Sequence, residues 1–200
     1  MAEPITFYFD FASPYGYFAA TQIKSLAHKH GREVTWRPML LGAVFKITGG
    51  GPLPSLPLKG PYSVNDMART ARFYDIDFKL PPVFPIATQA PARAVYWLEE
   101  TGAIPVDTAA LALYRAYFVD GQDISDPQNT AAALAPLNVN ADELVLAIAQ
   151  PEIKERLKKE TQAAIDLGVF GSPYIVVDGE PFWGTDRLTQ VDRWLERGGF

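Results

Sequence analysis

Cysteine is absent from the chain of 200 residues. That excludes a disulfide, a thiolate metal site and a cysteine nucleophile of the chain's own. Histidine is scarce: His28 and His30 stand just before Gly31. They read as surface residues near a helix C-terminus, where a cation suits the dipole, and not as a metal site. No run of Lys and Arg interleaves with aromatics, and the net charge is −5, so no nucleic-acid partner is expected. The mixed-sign run "IKERLKKE" (153–160) reads as a solvated helix face. No window approaches the roughly 18 apolar residues of a membrane span. The start has no basic segment before its short apolar run, so no signal peptide is expected. A soluble, cytoplasmic protein is the expectation, and no internal repeat is visible.

What is present is an ordinary globular composition, 48% hydrophobic and 20% charged, enough for one cored domain or one domain with a large insertion. "PITFYFDF" (4–11) is aromatic and β-branched and predicts a buried strand. Residues 14–29 predict a helix with Ser13 as N-cap, Pro14 at N1 and Gly31 as the stop. "EVTWRP" (33–38) is the next strand, which makes a βαβ unit and implies a parallel pair. "GGGPLPSLPLKGP" (49–61) reads as a loop. Then come only helical signals, over 64–74 (with Ser63 and Asp66 as a capping pair), 89–101, 107–120, 127–135, 141–149 and from Pro151 to Gly168. "PYIVVDGEPFWG" (173–184) predicts a hairpin turning at Asp178-Gly179, and 185–199 a last amphipathic helix. The order predicts an α/β, thioredoxin-like fold with a large all-helical insertion: residues 1–38 and 151–200 form the first part, 39–150 the second.

In such a fold the end of the first strand meets the start of the first helix. That corner offers free backbone N–H groups and the positive end of a dipole, which favour a thiolate. Here it reads Ser13-Pro14-Tyr15-Gly16-Tyr17. It resembles the Cys-Pro-x-Cys-Tyr corner of the DsbA-like oxidases, with Ser13 and Gly16 in the cysteine positions. A closer resemblance is to the 2-hydroxychromene-2-carboxylate isomerases, relatives of the kappa-class glutathione transferases. It is carried by "FYFDFASPYGY", "RPMLLGAVFKITG" (37–49), "YSVNDMARTARFYDI" (62–76) and "GVFGSPYIVVDGEPFWGTDRL" (168–188), which together span nearly the whole chain.

The resemblance implies that glutathione brings the missing sulfur. Ser13 would lie beside its thiol as a stabiliser of the thiolate, there being no evident His/Asp relay to make it a nucleophile. Ser172-Pro173, with a cis bond, would hold its cysteinyl backbone through a Ser172 N–H and C=O left free. Trp183, Gly184, Thr185 and Asp186 ("WGTD") would bind the γ-glutamyl end: backbone N–H groups suit its carboxylate, Asp186 its ammonium. Lys46 would meet the carboxylate of a small aromatic substrate. The family's Asn after that lysine is replaced by Gly50, and another Asn around Ile86–Thr88 is missing. The implied activity is a glutathione-dependent isomerisation in aromatic catabolism by a homodimer. A kappa-like transferase or peroxidase, or a non-catalytic binding module, are the alternatives. Taken alone, Ser13 and Asp186 also read as helix caps, Pro173 as an edge proline and Lys46 as a surface lysine.

Overall fold

A computed structural model describes residues 3–200. Its sheet has the order β2-β1-β3-β4. Strand β1 (Ile5–Phe9) pairs in parallel with β2 (Val34–Pro38), as a strand–helix–strand unit requires. It pairs antiparallel with β3 (Tyr174–Val177), which turns into β4 (Glu180–Trp183). Asp178 and Gly179 both have positive φ, 52° and 87°, the backbone of a I′ hairpin turn.

Along β1 alternate residues divide between two layers. Ile5, Phe7 and Phe9 join the main buried cluster, and Tyr8 joins a second one with Tyr174 and Ala164. Both sheet faces are therefore covered. Helix α1 (Pro14–Lys29) starts at Ser13 with Pro14 in its first turn and ends before Gly31, whose φ is +64°. Pro14 forfeits no hydrogen bond there, and glycine takes that φ without strain.

The helical segment holds α2 (Leu41–Thr48), α3 (Lys59–Phe73), α4 (Gln89–Thr101), α5 (Val106–Phe118), α6 (Pro127–Leu134) and α7 (Ala141–Ile148). Helices α8 (Pro151–Asp166) and α9 (Leu188–Arg197) flank the hairpin. The main cluster runs from β1 through α1 into α5: the rings of Phe9, Phe11 and Tyr114 pack edge-on or tilted within 6 Å centroid to centroid. The helical segment thus forms the floor under the strand-to-helix corner.

Three readings need correction. Helix α3 begins at Lys59, four residues before Ser63, so Ser63 and Asp66 do not cap it; the Ser63 hydroxyl donates to the Gly60 carbonyl inside the helix. Gly60 and Pro61 look like a turn, but a proline in a first helical turn has no intrahelical bond to lose. Helix α2 had no predicted counterpart. It is short, has no side-chain cap and buries only Val44. His30 is not a surface residue: its ring is largely buried and hydrogen-bonds Asp192 of α9 at 2.6 Å.

Candidate functional site

The corner is built around one hydroxyl. Ser13 caps α1 by accepting from the Gly16 N–H at 3.0 Å, and its own proton goes to the Ser172 carbonyl at 2.7 Å. The Ser172 hydroxyl in turn accepts from the Asp10 N–H at 3.0 Å. Pro173 follows through a cis bond, and its carbonyl accepts from the Gly184 N–H. The N–H of Tyr15, in the first turn of α1, and that of Ser172 have no partner among the described residues. The Ser172 carbonyl, expected free, is occupied by Ser13.

Below the corner lies a buried polar layer. Asp10 accepts from the N–H groups of Ala12 (2.8 Å) and Leu41 (2.7 Å). Burial raises its pKa, and those hydrogen bonds oppose the rise. Asp10 thus anchors the starts of α1 and α2. The Tyr114 hydroxyl donates to the Asp10 carbonyl at 3.0 Å. Gly16, in the position of a second cysteine, has no room for a side chain. A Cβ there would stand 2.6 Å from Ser172 Oγ and 2.8 Å from the Tyr114 hydroxyl.

The residues that the resemblance assigns to glutathione and substrate all line one cavity of about 1180 Å³: Ser13, Lys46, Ser172, Pro173, Trp183, Gly184, Thr185 and Asp186. Thr185 is buried and donates to the Tyr15 carbonyl at 2.6 Å, tying the turn after β4 to the start of α1. Asp186 is already paired with Arg187 at 2.6 Å. Trp183 is exposed and packs edge-on against Phe170, a wall of the cavity and not core. Tyr17 is core, with its hydroxyl on the Asp77 carbonyl.

The sequence reading missed Tyr114, Thr88, Arg187 and the opposite wall. There the Tyr15 hydroxyl donates to Asp66 at 2.6 Å, and Asp66 is held by Arg69. Burial and the Asp66 carboxylate both raise the Tyr15 pKa. Tyr15 is therefore a neutral wall residue near pH 7. Replacing Thr185 by valine is expected to lower the melting temperature by about 2–4 °C, the cost of losing a neutral hydrogen bond worth about 1 kcal/mol between the turn after β4 and the start of α1. A thermal scan would read it, and an unchanged melting temperature would mean that this hydrogen bond does not hold the turn.

A sheet of this order, with a cis-proline beside a helix N-terminus, defines a thioredoxin-class protein, here without a thiol. Residues 4–196 match the DSBA-like thioredoxin domain. The chain belongs to that family, in the group of the 2-hydroxychromene-2-carboxylate isomerases and kappa glutathione transferases. It is 30% identical over 198 residues to a 2-hydroxychromene-2-carboxylate isomerase of Sphingobium xenophagum, covering 98% of this chain and 99% of that one. It is 28% identical to glutathione S-transferase kappa 2 of Caenorhabditis elegans, over 96% and 91% of the two chains. A solved structure of 2-hydroxychromene-2-carboxylate isomerase superposes with a TM-score of 0.83 at 25% identity, covering 96% of this chain and 94% of that one. Among the described residues no helix is long and apolar enough to cross a membrane.

Proposed function

We propose that the protein is a glutathione-dependent isomerase of the 2-hydroxychromene-2-carboxylate type. The observation that carries this is the Ser13 hydroxyl, set at the N-terminus of α1 against the Ser172 carbonyl and opening on the cavity. The residues present suit a tripeptide thiol. Ser172 offers an unpartnered N–H beside Pro173, Tyr15 offers another at the helix start, and Asp186 with Arg187 makes a zwitterion a match for the γ-glutamyl end.

When bound, glutathione would supply a nucleophilic thiolate for reversible addition to a conjugated substrate carbon. A free thiol of pKa about 8.5 is roughly 3% ionised at pH 7. Lowering that pKa by about two units takes about 2.7 kcal/mol of preferential stabilisation of the anion. One hydrogen bond to a charged group supplies about 1.5–3 kcal/mol, and a helix N-terminus about 0.3–1 kcal/mol. Ser13 has one proton to give. Turning it from the Ser172 carbonyl to the sulfur leaves that carbonyl free to accept from the peptide. Ser13 stays a hydrogen-bond donor throughout. In this reading residues 1–38 and 151–200 supply the glutathione half of the site. The helical part, 39–150, supplies the substrate half through Lys46. A cytoplasmic homodimer acting in aromatic catabolism belongs to the same proposal.

The kappa relative, almost as similar as the isomerase, supports a second reading: a transferase or peroxidase acting on another electrophile. Calorimetric titration with glutathione at millimolar concentration is expected to show binding; no heat and no thermal stabilisation would overturn both. The absorbance change of 2-hydroxychromene-2-carboxylate, with and without glutathione, separates them. The isomerase reading requires a glutathione-dependent change with no net consumption of the thiol.

A further inference from the structure

Asp10, 3% exposed at the end of β1, is a carboxylate that the thiolate chemistry does not use. Its charge is met by hydrogen-bond donors and not by a cation among the described residues. A buried charge is kept only where such bonds satisfy it. Its main chain and its side chain serve different parts of the site. The main chain holds the glutathione corner. The Asp10 N–H donates to Ser172 Oγ at 3.0 Å, and the Asp10 carbonyl accepts from the Ser13 N–H at 2.9 Å and from the Tyr114 hydroxyl at 3.0 Å. The side chain reaches across to α2. Its Oδ2 accepts from the Leu41 N–H at 2.7 Å, while Oδ1 accepts from Ala12 in its own turn.

Helix α2 needs that bond more than α1 does. It is eight residues long, its N-cap Leu40 has no side chain that can accept, and it buries only Val44. A helix so short is not held by its own hydrogen bonds, and its first N–H groups have no partner inside it. The Gly42 N–H has none among the described residues; the Leu41 N–H has Asp10, where the dipole also favours an anion. Yet α2 forms one wall of the cavity, through Leu41, Gly42, Phe45 and Lys46.

Resting on the isomerase reading for what the cavity holds, we infer that Asp10 is a positioning residue for the second substrate. Its carboxylate is a remote N-cap that sets α2, the substrate wall, against the glutathione corner. The main-chain bonds fix the corner whatever the side chain does, so the two halves of the site respond separately. Loss of the Leu41 bond misplaces the wall and leaves glutathione where it is.

Two variants of the intact protein isolate that one N–H. Leu41→Pro removes the donor and leaves Asp10 in place; Leu41→Ala removes the same side chain and keeps the donor. Proline is accepted at a first helical position, and Leu40, at φ −102° and ψ 105°, already has the backbone that a residue before proline takes. For 2-hydroxychromene-2-carboxylate, kcat/KM is expected to be at least about tenfold lower in Leu41→Pro than in Leu41→Ala, chiefly through KM, as for one lost hydrogen bond to a charged group. The calorimetric Kd for glutathione is expected to differ by no more than about twofold between them, the corner being held by the main chain. Hydrogen–deuterium exchange over residues 42–48 is expected to be at least about tenfold faster in the proline variant, with exchange over α1 the same in both. The wild type adds a test that needs no variant to fold: its Leu41 amide should exchange at least about tenfold more slowly than its Gly42 amide. Equal kcat/KM in the two variants, a glutathione Kd that changes with it, or a Leu41 amide as fast as that of Gly42 overturns the inference. Failure of the isomerase reading has a different signature, no turnover in wild type or in either variant. The exchange measurements use no substrate and then decide alone: faster exchange over 42–48 in Leu41→Pro keeps the role of Asp10 in placing the wall, and unaltered exchange removes it.

Discussion

Ser13→Gly is expected to lower kcat/KM about 10- to 150-fold while the melting temperature falls by only about 2–8 °C. The kinetic figure is the loss of one hydrogen bond to an anion, about 1.5–3 kcal/mol at about 1.4 kcal/mol per tenfold. The structural cost is smaller. The Ser13 side chain caps α1 and bonds the Ser172 carbonyl. Glycine is a tolerated N-cap that costs a few tenths of a kcal/mol, where alanine costs about 1 kcal/mol. Adding the lost bond to the Ser172 carbonyl, about 0.5–1.5 kcal/mol, gives about 1–2 kcal/mol, and a domain of this size shifts about 2–4 °C per kcal/mol. Glycine is therefore a better probe than alanine, which mixes loss of the cap with loss of the donor. Turnover unchanged in Ser13→Gly would take Ser13 out of the chemistry and leave it a helix cap.

The second large effect belongs to a residue with no side chain. Gly16→Ala places a methyl 2.6 Å from Ser172 Oγ and 2.8 Å from the Tyr114 hydroxyl. Neither is a loose end: Ser172 Oγ accepts from Asp10 N–H, and Tyr114 donates to the Asp10 carbonyl. Overpacking of this kind costs about 1–3 kcal/mol, so the melting temperature should drop by about 2–12 °C. Because Ser172 must move, glutathione affinity should fall as well. Calorimetry and a thermal scan on one variant read both. A variant with wild-type stability and affinity would mean that the packed corner is looser than its contacts state. The same contacts explain why a second cysteine has no place at position 16: the corner is closed to any side chain.

Much of this was legible because prolines and glycines punctuate the chain. Pro14 marks the first turn of α1, Gly31 its end, Asp178-Gly179 the hairpin and Pro173 its entry. Each is a backbone preference that survives folding. Helices α4 to α8 were legible from their apolar spacing. The start of α3 was not, because Gly60 and Pro61 carry turn preferences that its tertiary setting overrides. Gly60 sits so close to the Pro54 carbonyl, 2.4 Å from where its Cβ would be, that only glycine fits there. Within the site, residues near a turn could be named from the sequence. Tyr114, on a helix face, could not. Tyr114 lies 104 residues from Asp10 and has the same spacing as any core position of α5. Asp66 and Arg69 are a usual i,i+3 surface pair until the Tyr15 hydroxyl is seen to donate to one of them.

The most direct measurement is the titration of the glutathione thiol on the protein, followed through the ultraviolet absorbance of the thiolate. In wild type the bound thiol should ionise about two pH units below its free value of about 8.5, and in Ser13→Gly its pKa should move back up by at least one unit. A bound thiol that ionises at its solution value in both proteins would contradict the claim that this corner, having no sulfur of its own, holds and activates a borrowed one.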